Sequence, residues 1–470
     1  MAEKILTINQ AVCDFLWGPY MLGLFFFTGL LFTIGTGFFQ IRSIRLWLSH
    51  TFFSLFKKEK NKKGCISQFQ SFTTVLAATV GTGNITGVAA ALSLGGPGAI
   101  FWMWVSAFFG MMTAYAESVL AILYRQKDKE GNAIGGAMYY MEKGLGLRFP
   151  ALLFSLFCIL ASFGMGNMAQ MHSVSSALSD TFSIPATLTG ILSSVLIAII
   201  ISGGLKRIAG VTEKLVPFMV IIFFIGSFIC LYKQRVEIPD AFRLIFHCAF
   251  SSEAIAGGTL GYSVKKAMQL GCKRGVFSNE AGLGSGATAH ASSSADEPCI
   301  QGMWGIFEVF VDTILVCTLT ALVILTSGKF PAATAGLAGV SLTATSFGVG
   351  LGDFGRIFIS VSIVFFAFAT VIGWSLFGER SVLYLFGKKG VPIYKAIYIL
   401  CAYVGSVTSM ELVWGISDTF NALMAIPNLL CLIALSGRVF SETRRFMHSP
   451  YVPTSFFDKK YKKPPKTGVL

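Results

Sequence analysis

Apolar residues run along this chain in long blocks, separated by short polar stretches. The blocks predict membrane-crossing helices at 15–38, 72–94, 98–123, 150–176, 187–203, 214–232, 243–264, 304–326, 355–375, 394–412 and 417–437. Short strands of alternating polarity, the mark of a membrane β-barrel, are absent. One block is broken where a break costs most. TVGTGNITG, residues 79–87, puts glycines and polar side chains inside the 72–94 span, where freed backbone N–H and C=O groups need partners. A second Gly-rich run, SSEAIAGGTLGYS at 251–263, opens a later block. Paired interrupted segments at matching places in two halves point to a transporter's central binding site.

Composition agrees with the pattern. The 470 residues are 54% hydrophobic and 13% charged, about half the charge of a soluble domain; mean hydropathy is +0.69. The formal charge of +14 does not indicate nucleic acid, because the basic residues sit between apolar blocks. KKEKNKK at 57–63, RQKDK at 125–129, KR at 206–207, KK at 265–266, KR at 273–274 and the tail at 459–466 predict an N-terminus outside and a C-terminus inside. The inside segments are then 39–71, 124–149, 204–213, 265–303, 376–393 and 438–470. After the first span the others divide into 72–232 and 243–437, five spans each and starting on opposite faces, so any repeat between them is inverted. Residues 1–71 carry the extra helix and a basic segment, and 438–470 form a basic tail. The ten cysteines lie mostly in apolar blocks with no CxxC pair, as small core residues.

Several polar groups lie at membrane depth. Thr82, Asn84 and Thr86 flank Gly83 in the first break; there a glycine lets a ligand approach the backbone, and helix N-termini favour anions. The competing reading is close helix packing through Gly83 and Gly87. Asn167 and Gln170 are three apart and can share a helix face. Asp312 and Glu117 are acids within spans, which calls for a partner or a role; Asp312 suits a cation, an ammonium or a helix-end contact. Asn279 and Glu280 open a Gly/Ser/Ala run suited to a re-entrant element. Trp374, at a span end, reads as an interface anchor or a gate. The five histidines form no HExxH or HxxxH cluster and no Walker A motif is present. A secondary transporter is favoured over an enzyme, an ATP-driven pump or a channel.

TGFFQIR at 36–42, GTGNITGVAAALSLGGPGAIFWMWV at 81–105, GGAMYYMEKGLG at 135–146, FSNEAGLGS at 277–285, GWSLFGER at 373–380 and DTFNALMAIPNL at 418–429 together resemble the alanine or glycine:cation symporter family, the bacterial sodium:alanine symporters. The resemblance implies an all-α polytopic membrane protein with a LeuT-like fold, an extra N-terminal helix before inverted five-helix repeats, in the bacterial inner membrane. It implies import of alanine or glycine with Na+ as the coupling ion, no other cofactor and no enzymatic step, and a monomer suffices. Alternatives on the same scaffold are proton coupling or a substrate-gated channel or receptor. It further implies that Thr82, Gly83 and Asn84, with Gln170 nearby, hold the substrate carboxylate. Gly261 and Ser263 would meet the amino group, Thr370 and Trp374 would line the pocket, and the Val80 and Gly83 carbonyls would face Na+. The chain departs from the family pattern at Ala114, in the GATAHASSS run, and at Leu376 and Phe377.

Overall fold

The computed structural model describes residues 9, 11–56, 62–251, 264–330, 339–408 and 410–452. Helix α1 (Pro19–Gly35) precedes a broken pair, α2 (Gln68–Thr79) and α3 (Thr86–Gly95). The long α4 (Gly98–Leu123) follows, then α5 (Arg148–Phe163) and α6 (Ala169–Phe182), joined by a π turn at Gly164–Met168. Next come α7 (Ala186–Ser202), α8 (Gly204–Lys233), α9 (Ile238–Phe250), α10 (Val264–Asn279) and the short α11 (Ala287–Ala291). Helix α12 (Pro298–Val309) runs through a π segment, Phe310–Cys317, into α13 (Thr318–Thr326). The chain closes with α14 (Gly339–Leu351), α15 (Phe354–Phe386), α16 (Gly390–Val407), α17 (Met410–Ala434) and α18 (Ser436–Met447). Among the described residues, eight helices are long and apolar enough to cross a membrane. The pairs α2–α3 and α10–α11 fall short because each is broken, and α7 because it has 17 residues.

Local chemistry sets the boundaries. Ser67 caps α2 by accepting from Gln70 N at 3.0 Å, while Gln70 Oε1 accepts from Ser67 N at 3.1 Å, a reciprocal capping box. Gly96 ends α3 at φ +73, and Pro97 then starts α4, the usual order of glycine at a helix stop and proline at a start. Large apolar side chains on α2, α4, α12 and α15, among them Phe72, Tyr115, Trp304 and Trp374, are buried in the middle of the bundle. Lipid-length faces such as Ile191, Leu192, Val195 and Ile199 on α7 are exposed.

One predicted span is displaced. Of the predicted span 243–264, residues 252–263 lie outside the described residues; before them, α9 ends against the start of α4, where Gly98 abuts the backbone of Cys248 and Ala249. Helix α10 begins at that same end, with Gly95 facing Leu270 and Gly271 facing Ala99. It then descends along α4, so that Gly110 faces Ala281 and Gly135 faces Ala291. The descent therefore belongs to α10, its break and α11. Lys265, Lys266, Lys273 and Arg274 share the α3–α4 end of the bundle, not the end expected for 265–303. The opposite end gathers Lys62 with Asp296, Arg125 on the Ser293 and Ala295 carbonyls at 2.7 and 2.8 Å, and Arg445 on Glu297 at 2.8 Å. Lys265 and Lys266 are exposed there, and Lys273 is half-buried. It pairs with Asp418 at 3.4 Å and stacks over Trp17 at 5.6 Å. In a cysteine-free background, Lys265→Cys and Lys129→Cys, both exposed, will react with a membrane-impermeant thiol reagent from opposite faces of sealed vesicles; labelling from one face would refute this path.

Candidate functional site

The first break runs from Val80 to Ile85. Helix α2 stops with Val80 N donating to Leu76 O at 2.8 Å. The Asn84 side chain then turns back, and its Oδ1 accepts from Gly81 N at 2.9 Å. Thr82 donates through Oγ1 to Gln170 Oε1 at 3.0 Å, with its backbone N at 3.4 Å. Gln170 is itself fixed by donating Nε2 to Met165 O at 3.2 Å, across the π turn. A Cβ on Gly81 would lie 2.5 Å from Thr370 Oγ1, so the α15 hydroxyl requires glycine there. At Gly83 a Cβ would meet nothing nearer than Phe277 at 3.8 Å, and at Gly87 nothing within 4 Å. The small-residue packing expected of Gly83 and Gly87 is therefore not made. Gly83 borders open space instead.

A second break lies at 280–286; of the Gly-rich run 251–263, residues 252–263 lie outside the described residues. Gly261 and Ser263 lie outside the described residues. Helix α10 ends at Asn279, whose Oδ1 accepts from Ala281 N at 3.1 Å and whose Nδ2 donates to Thr313 Oγ1 at 3.3 Å. Glu280 then takes φ +53, Gly282 +95 and Gly284 +79, a left-handed path that two glycines accept readily and that strains Glu280. Glu117 Oε1, one helix away, accepts from Gly282 N at 3.1 Å, Gly284 N at 2.9 Å and Asn428 Nδ2 at 2.6 Å. This carboxylate, left without a partner in the sequence, satisfies the donors that the break releases. Asn428 also holds Gly282 O at 2.9 Å and takes the Tyr140 hydroxyl on its own oxygen.

The two breaks are stitched together. Asn84 Nδ2 donates to Ser278 Oγ at 3.0 Å and to Asp312 Oδ1 at 2.6 Å. Asp312 Oδ2 accepts from Ser278 at 2.8 Å and from Thr313 at 2.7 Å. Asp312 is fully buried, and of its sequence-level readings it makes the helix-end contact, holding Asn84. Trp374 is buried too, which removes the interface-anchor reading. Its Nε1 donates to Glu280 Oε1 at 2.8 Å, and Ser285 holds Glu280 Oε2 at 2.8 Å. Asn167 does not share Gln170's role: its Nδ2 donates to Tyr398 O at 2.7 Å on α16, because the π turn rotates it away. Thr82, Gly83, Asn84, Gln170 and Thr370 thus converge on the first break, Val80 bounds it, and Asn279, Glu280 and Trp374 surround the second. Glu117, expected to need a partner or a role, finds it at the second break, and Gly81, Ser278 and Asn428 join unanticipated, each within a motif quoted above.

A family model described as the sodium:alanine symporter family matches residues 2–452. The chain belongs to that family. It is 45% identical over 446 residues to the sodium/alanine symporter AgcS of Methanococcus maripaludis, covering 94% of this chain and 97% of that one. It is 44% identical over 442 residues to an uncharacterized transporter of Haemophilus influenzae, covering 94% and 96%. A probable sodium/glutamine symporter, GlnT of Bacillus subtilis, is 36% identical over 92% of this chain and 89% of its own. The fold resembles that of MhsT, crystallised with L-phenylalanine, at a TM-score of 0.58 and 14% identity, covering 82% of this chain and 93% of that one. Membership in the sodium:alanine symporters fixes the class: secondary symport of a small amino acid with Na+, in a multi-pass membrane protein, with no catalytic step.

Two substitutions separate contact from open space. Gly81→Ala will lower the melting temperature in detergent, an overpacking cost of about 1–3 kcal/mol, whereas Gly83→Ala will not. Asp312→Asn, which leaves Asn84, Ser278 and Thr313 without a full set of acceptors, will cost about 1–3 kcal/mol in the same melt. A melt unchanged by Gly81→Ala or Asp312→Asn would refute the corresponding contact.

Proposed function

We propose that this symporter imports alanine or glycine together with Na+ by alternating access. The proposed frame is LeuT-like, with eleven crossings. An extra N-terminal helix precedes inverted five-helix repeats at 72–232 and 243–437, in a bacterial inner membrane with N-terminus outside and C-terminus inside. One observation carries the reading: the two broken helices meet at their breaks, and the first leaves open space beside Gly83. In the proposed site the substrate carboxylate lies on the backbone of Thr82 and Gly83, at the start of α3, where helix N–H groups favour an anion. Gln170 and Thr370 border this position, and Phe277 closes the side facing Gly83. Na+ is assigned to the Val80 and Gly83 carbonyls, next to the carboxylate, so that each ligand favours the other. The names of AgcS and GlnT, sodium/alanine and probable sodium/glutamine symporters, support sodium coupling and leave side-chain size to the pocket.

Coupling needs no covalent chemistry. Na+ entry supplies its concentration gradient plus about 2.3 kcal/mol per charge per 100 mV. Binding at the closed pair of breaks commits both ligands, and opening at the other end releases them.

Purified protein in proteoliposomes will accumulate radiolabelled alanine or glycine against its gradient when Na+ is high outside. A proton gradient alone will not drive this accumulation. Equilibration without accumulation would instead indicate a channel. Gly83→Leu will abolish uptake while the protein remains inserted, because the side chain fills the space beside the backbone; near-normal uptake would remove the carboxylate from this position.

A further inference from the structure

On the other side of the second break lies a small cavity bordered by Ala114, Glu117, Glu280, Gly286, His290 and Glu308, with about 10 Å³ of water-sized space, roughly what a single water needs. No Lys or Arg lines it. Three acids near it are supplied with donors. Glu117 Oε1 accepts three N–H groups, Glu280 accepts from Trp374 and Ser285, and Asp312 accepts from Asn84, Ser278 and Thr313. Glu308 is not. It is 4% exposed, its Oε2 faces His290 Nε2 at 3.3 Å, and its Oε1 accepts no hydrogen bond from the described residues. A carboxylate so placed gains little of the hydrogen bonding that offsets its loss of water.

The imidazole cannot supply the missing charge. Ser71 Oγ donates to Ala289 O at 3.0 Å, so it faces Gln301 Nε2 at 3.4 Å as an acceptor. Ser293 Oγ accepts from Ala295 N at 3.1 Å and donates to Gln301 Oε1 at 2.7 Å. These contacts fix the Gln301 amide with its NH2 toward His290 Nδ1, at 2.7 Å. Nδ1 is therefore the acceptor, and the ring's single proton sits on Nε2, toward Glu308. A second ring proton would point Nδ1–H at the amide N–H groups. The groups facing Glu308 are then a neutral His290 from α11, Glu117 from α4, Glu280 from the second break and Asp312 four residues on. Helix α2 contributes only Val75 to the cavity.

We propose that Glu308 is a proton-binding site, separate from the substrate and sodium positions, and that transport proceeds with this proton bound. Protonation adds one O–H donor within the cavity and removes a negative charge from beside Glu117 and Glu280, the groups that hold the second break in shape. Loss of the proton places a further negative charge against that break. The proposal rests on the symport reading only in using uptake as one readout.

Na+-driven alanine uptake, with equal pH on both sides, tests it. Wild-type uptake will fall about tenfold per pH unit once the pH passes the site's midpoint. Glu308→Gln, neutral at every pH and still able to accept from His290 Nε2, will lack that fall. A wild-type profile without it, or a Glu308→Gln profile with the same slope, overturns the proposal. Infrared difference spectroscopy on the purified, monodisperse protein makes the test independent of transport. Wild type will lose the C=O stretch of a buried protonated carboxyl as pH rises, and Glu308→Gln will lack that change. An identical difference spectrum in the two proteins overturns the proposal even if neither transports alanine.

Discussion

Backbone satisfaction at two broken helices is the constraint on which the rest of this structure depends. Interrupting a helix at membrane depth frees N–H and C=O groups that lipid cannot satisfy, so every break must bring its own partners. At the second break the donors of Gly282 and Gly284 converge on one oxygen of Glu117. At the first, Asn84 closes the turn with its oxygen and spends its nitrogen on Ser278 and Asp312. The acids in the middle of the bundle are therefore acceptors before they are charges. Glu117, Glu280 and Asp312 take their donors from amides, hydroxyls, an indole and backbone N–H groups, all neutral. Such an arrangement holds irregular backbone in place without a buried cation among these partners.

Much of this was legible in the amino-acid pattern. Apolar blocks located nearly every long helix, with α4 at its predicted bounds, because a span of lipid-length hydrophobicity has few alternatives. The first break was legible because glycines and polar residues in an otherwise apolar run have no cheap explanation. Its neighbours were partly legible: Gln170 and Thr370 do reach it, by way of helices distant in sequence.

What escaped has a physical reason in each case. The 251–263 run was read as the partner break because it is rich in glycine, and most of it lies outside the described residues. The break at 280–286 was visible as a polar Gly/Ser run but not as half of a pair, since α10 is too polar to look like half a crossing. Its lysines misled for a related reason. Lys265 and Lys266 are solvated, and charge counting assigns such lysines to a face without knowing that α10 starts at the α3–α4 end. The π turns are a third case. Asn167 and Gln170 share a face on an ideal helix, but one inserted residue turns Asn167 to α16 and leaves Gln170 on Thr82. Such turns often sit at functional positions, and sequence periodicity cannot register them.

The same logic accounts for the contrast between Gly81 and Gly83. Both lie in one motif and either passes for a packing glycine. Gly81 is pressed against the Thr370 hydroxyl, so its missing side chain serves the fold. Gly83 has Phe277 at van der Waals distance and otherwise open space, so its missing side chain serves no internal contact. In the proposed reading, that open side is where the substrate carboxylate meets the backbone at the start of α3.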